Sequence, residues 1–174
     1  MRLFDYVNDA GAIGWVLVAL NILGFSLILW RFFVFKDFKK NVPAEAKTIL
    51  DTLQADVKST NLLGHVELVK DACSRRVHDL EFGMNTIKIV ATLAPLLGLL
   101  GTVMGLYDAF MVISVKGLGN PGEFASGMSY ALMTTIMGLI VAIPHYFAHN
   151  YLSGVLDDLE VKLEKTILPF LKGE

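Results

Sequence analysis

Three long stretches of this chain carry no Asp, Glu, Lys or Arg. The first runs from Ala10 to Trp30. The second runs from Ile89 to Tyr107 and resumes after Asp108 to Val115. The third runs from Phe124 to Leu156. A helix rises ~1.5 Å per residue, so about 20 residues cross a hydrocarbon core of ~30 Å. Each stretch is long enough to span. The third is longer than needed, and its polar end (His145, His149, Asn150) is expected to emerge into water. The first is read as a retained span, not a cleaved signal peptide. Its apolar run is too long, Arg2 is balanced by Asp5 and Asp9, and the basic residues follow it. Leu3, Phe4, Tyr6 and Val7 have the composition of a short interfacial helix.

Composition agrees. Of 174 residues 54% are hydrophobic and 18% charged, against roughly a quarter charged in soluble domains. That excludes disorder. A single cysteine, Cys73, excludes a disulfide scaffold, and a net charge of −2 argues against a nucleic-acid partner. The lipid bilayer is one solvent of this chain. The predicted fold class is an all-α membrane protein with three transmembrane helices. Spans two and three extend beyond the lipid into a helical bundle.

Basic residues orient the spans. Arg31, Lys36, Lys39 and Lys40 follow the first span, and only Arg2 precedes it. The N-terminus is therefore expected outside and the C-terminus inside. The chain divides into an external segment 1–9, a first span 10–35, a cytoplasmic segment 36–88, a second span 89–115, an external loop 116–123, a third span 124–150 and a cytoplasmic helix 151–174.

Outside the lipid the apolar residues are periodic. Ile49, Leu50, Leu53 and Val57 mark a helix expected to start near Pro43, and Thr60, Asn61 and Gly64 read as a break. Val66, Val69, Cys73, Val77, Leu80, Met84 and Ile87 follow at helical steps and run into the second span without losing phase. One helix is therefore expected from about residue 65 to about 113, with Pro95 kinking it. Leu152, Leu156, Leu159, Leu163 and Ile167 continue the third span, and Pro169 ends the pattern.

The two last spans carry stripes of small residues. Ala94, Gly98, Gly101, Thr102, Gly105 and Ala109 share one helical face, and so do Gly127, Ala131, Thr134, Thr135, Gly138 and Ala142. Small stripes let helices approach closely in lipid, which assigns Gly98, Gly101, Gly105 and Gly138 to packing, with Pro95 and Pro144 beside them. The hydroxyls leave two readings open. They line a polar path inside an oligomer, or they bond to their own helix carbonyls. Asp108 is the one carboxylate at membrane depth, either a functional acid or a residue already at the outer interface. His145 and His149 stand four apart, but no third ligand is evident, so no metal is expected. Cys73 reads as a buried small apolar residue. No nucleophile motif, phosphate loop or zinc signature is present, so neither an enzyme nor a cofactor is expected. Three spans are too few to enclose a pore, so conduction would need an oligomer.

The run Ala94-Pro-Leu-Leu-Gly-Leu-Leu-Gly-Thr-Val-Met-Gly105, followed by Ala131-Leu-Met-Thr-Thr-Ile-Met-Gly-Leu-Ile-Val-Ala-Ile-Pro144 and Asn150, closely resembles the MotA/TolQ/ExbB proton channel family, its ExbB and TolQ branches above all. The resemblance implies a pentamer in the bacterial inner membrane. It would surround a single-span partner of ExbD or TolR type and pass work to a TonB- or TolA-like protein. The implied role is a proton-channel or stator subunit. It would use the proton motive force to energise TonB-dependent outer-membrane transport. The alternatives are a TolQ-like subunit for envelope integrity and a non-conducting scaffold. By position the family's pore threonines fall on Thr102 and Thr135, with Thr134 and Asp108 as further candidates. One departure stands out: relatives usually place Glu before the Ala-Leu of span three, where this chain has Tyr130. A phenol keeps its proton at neutral pH, whereas a carboxylate has lost it.

Overall fold

The computed structural model describes residues 7–8, 10–53, 62–117 and 121–171. They form four helices, here α1 (Gly11–Leu53), α2 (Leu62–Leu80), α3 (Met84–Lys116) and α4 (Pro121–Leu171). There is no strand among the described residues. Three helices, α1, α3 and α4, are long and apolar enough to cross a membrane. The fold is that of an all-α membrane protein. Leu3, Phe4, Tyr6, Val57, Thr60 and Asn61, each given a place by the sequence reading, lie outside the described residues.

The ends of the helices follow local rules. Gly117 adopts φ 70° immediately after Lys116 and caps α3, where the lysine also sits at the negative end of the helix dipole. Pro121 opens α4 with Glu123 in its first turn.

Two expectations about continuity are corrected. The single helix expected over about 65–113 is two helices, broken at Glu81-Phe82-Gly83. Gly83 takes φ 83°, a conformation open to glycine, and the Glu81 and Met84 amides close tight turns on the His78 and Glu81 carbonyls. The predicted burial survives the break, because Val69, Cys73, Val77, Leu80, Met84 and Ile87 are all buried. Pro43 does not start a helix either. It lies inside the 43 residues of α1. Its ring deprives the Lys39 carbonyl of a donor, but both residues are exposed, and water can supply the bond. Likewise α4 runs through Pro169 to Leu171 and does not end at the proline.

The chain divides into two compact units. The first gathers the described residues up to Ile28 with Thr86–His149. Its core is Leu17 from α1, Val90 and Ala94 from α3, and Val141 and Ala142 from α4, flanked by Ile13, Leu20, Leu97 and Met137. The second gathers Leu29–Asn85 with the chain from Asn150 onward. There Phe35, Phe38, Val42, Ala46 and Ile49 of α1 are buried, with the α2 series above and with Leu152, Leu156, Leu159, Leu163 and Ile167 of α4. Burying a Leu or Ile side chain stabilises a fold by ~1.5–3 kcal/mol, so such stripes hold a bundle together. The Arg76 guanidinium forks onto Glu45, with Nε and Nη2 each 2.9 Å from a carboxylate oxygen, and ties α2 to α1.

Arg31 follows the first charge-free run directly, yet it is not a hydrated charge. It is 3% exposed, and its guanidinium lies 4.6 Å from the Trp30 ring centroid and 5.7 Å from that of Phe82. Two aromatic faces replace water around the cation.

Candidate functional site

Within the first unit, α3 and α4 pack along the two small-residue stripes. The backbones come so close that no side chain fits at several points. A Cβ at Gly138 would lie 2.6 Å from the Ala94 carbonyl oxygen. One at Gly98 would lie 2.9 Å from the Thr134 oxygen, and one at Gly105 would lie 2.9 Å from the Gly127 oxygen. At Gly101 a methyl would overlap the Thr134 side chain. Real Cβ atoms do not approach backbone oxygens this closely, so these glycines key one helix into the other.

Three hydroxyls sit inside this contact. The Thr102 hydroxyl has three acceptors in reach: the Gly98 carbonyl of its own helix at 3.1 Å, the Ala131 carbonyl of α4 at 3.3 Å, and the Thr135 hydroxyl. Thr135 reaches back across the contact to the Gly98 carbonyl at 3.2 Å. Thr134 bonds to the Ala131 carbonyl at 2.8 Å and stands 3.3 Å from that of Gly98. Each hydroxyl has one proton to donate, and a carbonyl has two lone pairs. The three therefore share two carbonyls, and more than one pattern of donation satisfies them. Their placement differs. Thr134 is fully buried, whereas Thr102 and Thr135 are half-buried and reach the edge of the contact. Thr102 and Thr134 thus reach carbonyls of their own helices, Thr135 reaches one on α3, and Thr102 and Thr135 also meet each other.

The remaining candidates spread around this centre. Asp108 is exposed on α3, six residues along from Thr102. Tyr130 is half-buried, and its ring fills the space that glycine leaves at Gly105. A Cβ there would lie 2.8 Å from its Cδ1, and one at Gly11 would lie 3.2 Å from its hydroxyl oxygen. Pro95 and Pro144 are half-buried within their helices, beside the packed stripes. No group of three His, Cys, Asp or Glu side chains comes together among the described residues.

His145 corrects the expectation that the polar end of the third stretch emerges into water. It is fully buried. Its Nδ1 is 2.7 Å from the Val141 carbonyl, one turn back on α4, and its ring meets Phe25 edge-on at 5.1 Å. Nε2 has no hydrogen-bond partner among the described residues and lies against Gly24 of α1, where a methyl would overlap it. His149 is half-buried and Asn150 exposed. Gly24 is the signal that sequence reading passed over. A glycine in an otherwise bulky apolar span marks a close approach, and here the approaching group is an imidazole.

An all-α membrane protein with two glycine-keyed spans and paired hydroxyls between them defines a class, and the comparisons name it. The model of the MotA/TolQ/ExbB proton channel family matches residues 41–165, and the chain belongs to that family. It is a family of membrane proton-channel subunits. The biopolymer transport protein ExbB of Xanthomonas campestris pv. campestris is 36% identical over 96 residues, covering 55% of this chain and 38% of that protein. The ExbB protein of Aquifex aeolicus is 47% identical over 66 residues, covering 38% and 45%. The Tol-Pal system protein TolQ of Haemophilus influenzae is 32% identical over 111 residues, covering 64% and 49%. The matched stretch spans less than half of each relative's own length.

Proposed function

We propose that this chain is the proton-channel and stator subunit of an inner-membrane motor of the ExbB–ExbD type. It uses the proton motive force to energise TonB-dependent transport across an outer membrane. The observation that carries the reading is the Thr102–Thr135 hydroxyl pair at the edge of the keyed α3–α4 contact. Hydroxyls can both donate and accept, so a row of them relays a proton or solvates a titrating acid without holding charge of its own. The acid itself would come from the helix of an ExbD- or TolR-like partner, enclosed by a pentamer of this chain. Thr102 and Thr135 face that helix, and Thr134 anchors the contact behind them. The spans are 10–35, 89–115 and 124–150, with the N-terminus periplasmic and residues 36–88 and 151–174 cytoplasmic. Where relatives carry a Glu this chain has Tyr130: either that carboxylate is dispensable for conduction, or another group, such as Asp108 near the outer end of α3, serves instead.

Thr135→Val tests this. It removes the hydroxyl with little change of volume, and in lipid such bonds contribute only ~0.6–2 kcal/mol. Energised transport is expected to fail while native mass spectrometry still finds the assembled complex. Wild-type transport by this variant would leave the chain a scaffold without an ion path.

A TolQ-like role in envelope integrity is the second reading. It is favoured by the longer share of this chain, 64%, that matches the Haemophilus influenzae TolQ. Deleting the gene separates the two. Poor growth on scarce chelated iron supports the ExbB-like role, and sensitivity to detergent supports the TolQ-like one.

A further inference from the structure

A small pocket of about 180 Å³ opens in the second unit between α1 and α4. Phe35 and Leu152 form its buried apolar floor, at 3% and 2% exposure. Lys36 and Lys39 stand on the α1 rim, and Phe32 and Tyr151 line its exposed sides. The two ammonium groups are three residues apart on one helix and so share a face. Neither makes an ion pair among the described residues. The nearby Asp37 accepts from Asn41 and does not line the pocket, nor do Asp157 and Asp158 of α4. The pocket thus concentrates two uncompensated positive charges beside an apolar slot.

Its place along both helices says what meets it. On α1 the charge-free run ends at Trp30, so Phe32 to Lys39 occupy the next ~10 Å of rise. On α4, Tyr151 and Leu152 lie within the last two turns of the charge-free run from Phe124 to Leu156. With the spans proposed above, 10–35 and 124–150, both walls fall at the span ends, where hydrocarbon gives way to headgroups. Exposed aromatics stand on both helices of this unit, with Trp30, Phe32 and Phe33 on α1 and Tyr151 on α4. Aromatic rings and lysines flanking an apolar span are the side chains that anchor a helix at that depth.

We propose that this pocket holds the headgroup of an anionic glycerophospholipid. The phosphate accepts hydrogen bonds from Lys36 and Lys39. The Tyr151 hydroxyl bonds the polar headgroup, and an acyl chain runs back along Phe32. A zwitterionic lipid brings its own cation and gains little from the two lysines. An anionic one relieves their mutual repulsion. The inference is independent of whether the chain conducts protons.

The test uses the full-length protein purified in detergent and offered phosphatidylglycerol and phosphatidylcholine of the same acyl chains, read by native mass spectrometry. Phosphatidylglycerol is expected to be retained in preference. Lys36→Gln/Lys39→Gln is expected to weaken its retention about thirtyfold, roughly fivefold per lysine. Lys36→Arg/Lys39→Arg and the distant Lys47→Gln are expected to retain it as the wild type does. Equal retention of phosphatidylcholine, or unchanged phosphatidylglycerol in the double Gln variant, overturns the proposal. Displacement by millimolar inorganic phosphate overturns it too, since the site would then be one for free anions. Should the Gln variant fail to assemble, wild-type protein in raised salt gives the answer: the lipid is expected to leave, and retention unaffected by salt sinks the idea.

Discussion

Between α3 and α4 in the first unit the contacts are made by Gly98, Gly105, Gly127 and Gly138, while in the second unit α4 packs through Leu152, Leu156, Leu159, Leu163 and Ile167. The same helix changes its means of packing along its length. With the second unit in water, as proposed above, the second choice follows, because removing large apolar side chains from water drives association. Lipid tails are as apolar as leucine, so a span gains nothing by hiding one from them. What remains is close van der Waals contact between backbones, and hydrogen bonds across it. The first unit has both, in its glycines and its threonines. The second has large side chains and a forked Arg76–Glu45 pair at its margin. The difference teaches which solvent each stripe was selected against.

If so, the two regions should fail in opposite ways. Gly138→Leu is expected to have the largest effect. A Cβ there would lie 2.6 Å from the Ala94 carbonyl oxygen, and backbone cannot step aside as a side chain does. Loss of the packed α3–α4 pair is expected, beyond the ~1–3 kcal/mol of ordinary overpacking. Thermal unfolding in detergent, with cross-linking of the two helices, measures it, and a folded variant with native cross-links would break the comparison. Leu163→Ala makes the reverse change in the second unit, large to small. A cost of about 3 kcal/mol is expected from the cavity, read as a lowered unfolding midpoint.

Cys73 sharpens the comparison next. Burial pushes its thiol up to about 11, with the Glu164 and Glu160 carboxylates adding to the shift. The unfolded thiol ionises near 9. Above that pH the unfolded chain has released a proton that the folded one keeps, so stability falls as pH rises. The loss grows to about 2–3 kcal/mol as pH nears 11. Unfolding followed between pH 8 and 11 is expected to show it in the wild type and not in Cys73→Ala. The smallest effect on stability is expected from Thr135→Val, about 1 kcal/mol, although it is the variant expected to stop transport.

Much of the architecture was legible because it is periodic. The buried series Val69 to Ile87 and Leu152 to Ile167 could be read from spacing, and so could the glycine stripes. The break at Gly83 could not. A glycine inside a helix costs only ~1 kcal/mol, and nothing local forces it to positive φ. Pro43 misled in the other direction, since a lost hydrogen bond on an exposed face is replaced by water. The burial of Arg31 and His145 was not legible, because the groups that cover them are distant in sequence. Phe82 covers the first, and Gly24 makes room for the second. The Thr102–Thr135 meeting was only half legible: each residue lay on its stripe, but their pairing depends on the register of two helices.

That register has a mechanical meaning. Moving α4 by one residue along α3 means a rise of ~1.5 Å and a turn of ~100°. Met137 or Leu139 would then arrive where Gly138 sits against the Ala94 carbonyl, and neither fits. The two helices are cogged at single-residue pitch and cannot ratchet past each other. Any displacement of this surface is therefore a displacement of α3 and α4 as one piece, and the threonine pair travels with them at fixed spacing. A partner sliding across it would meet a ruler, not a spring.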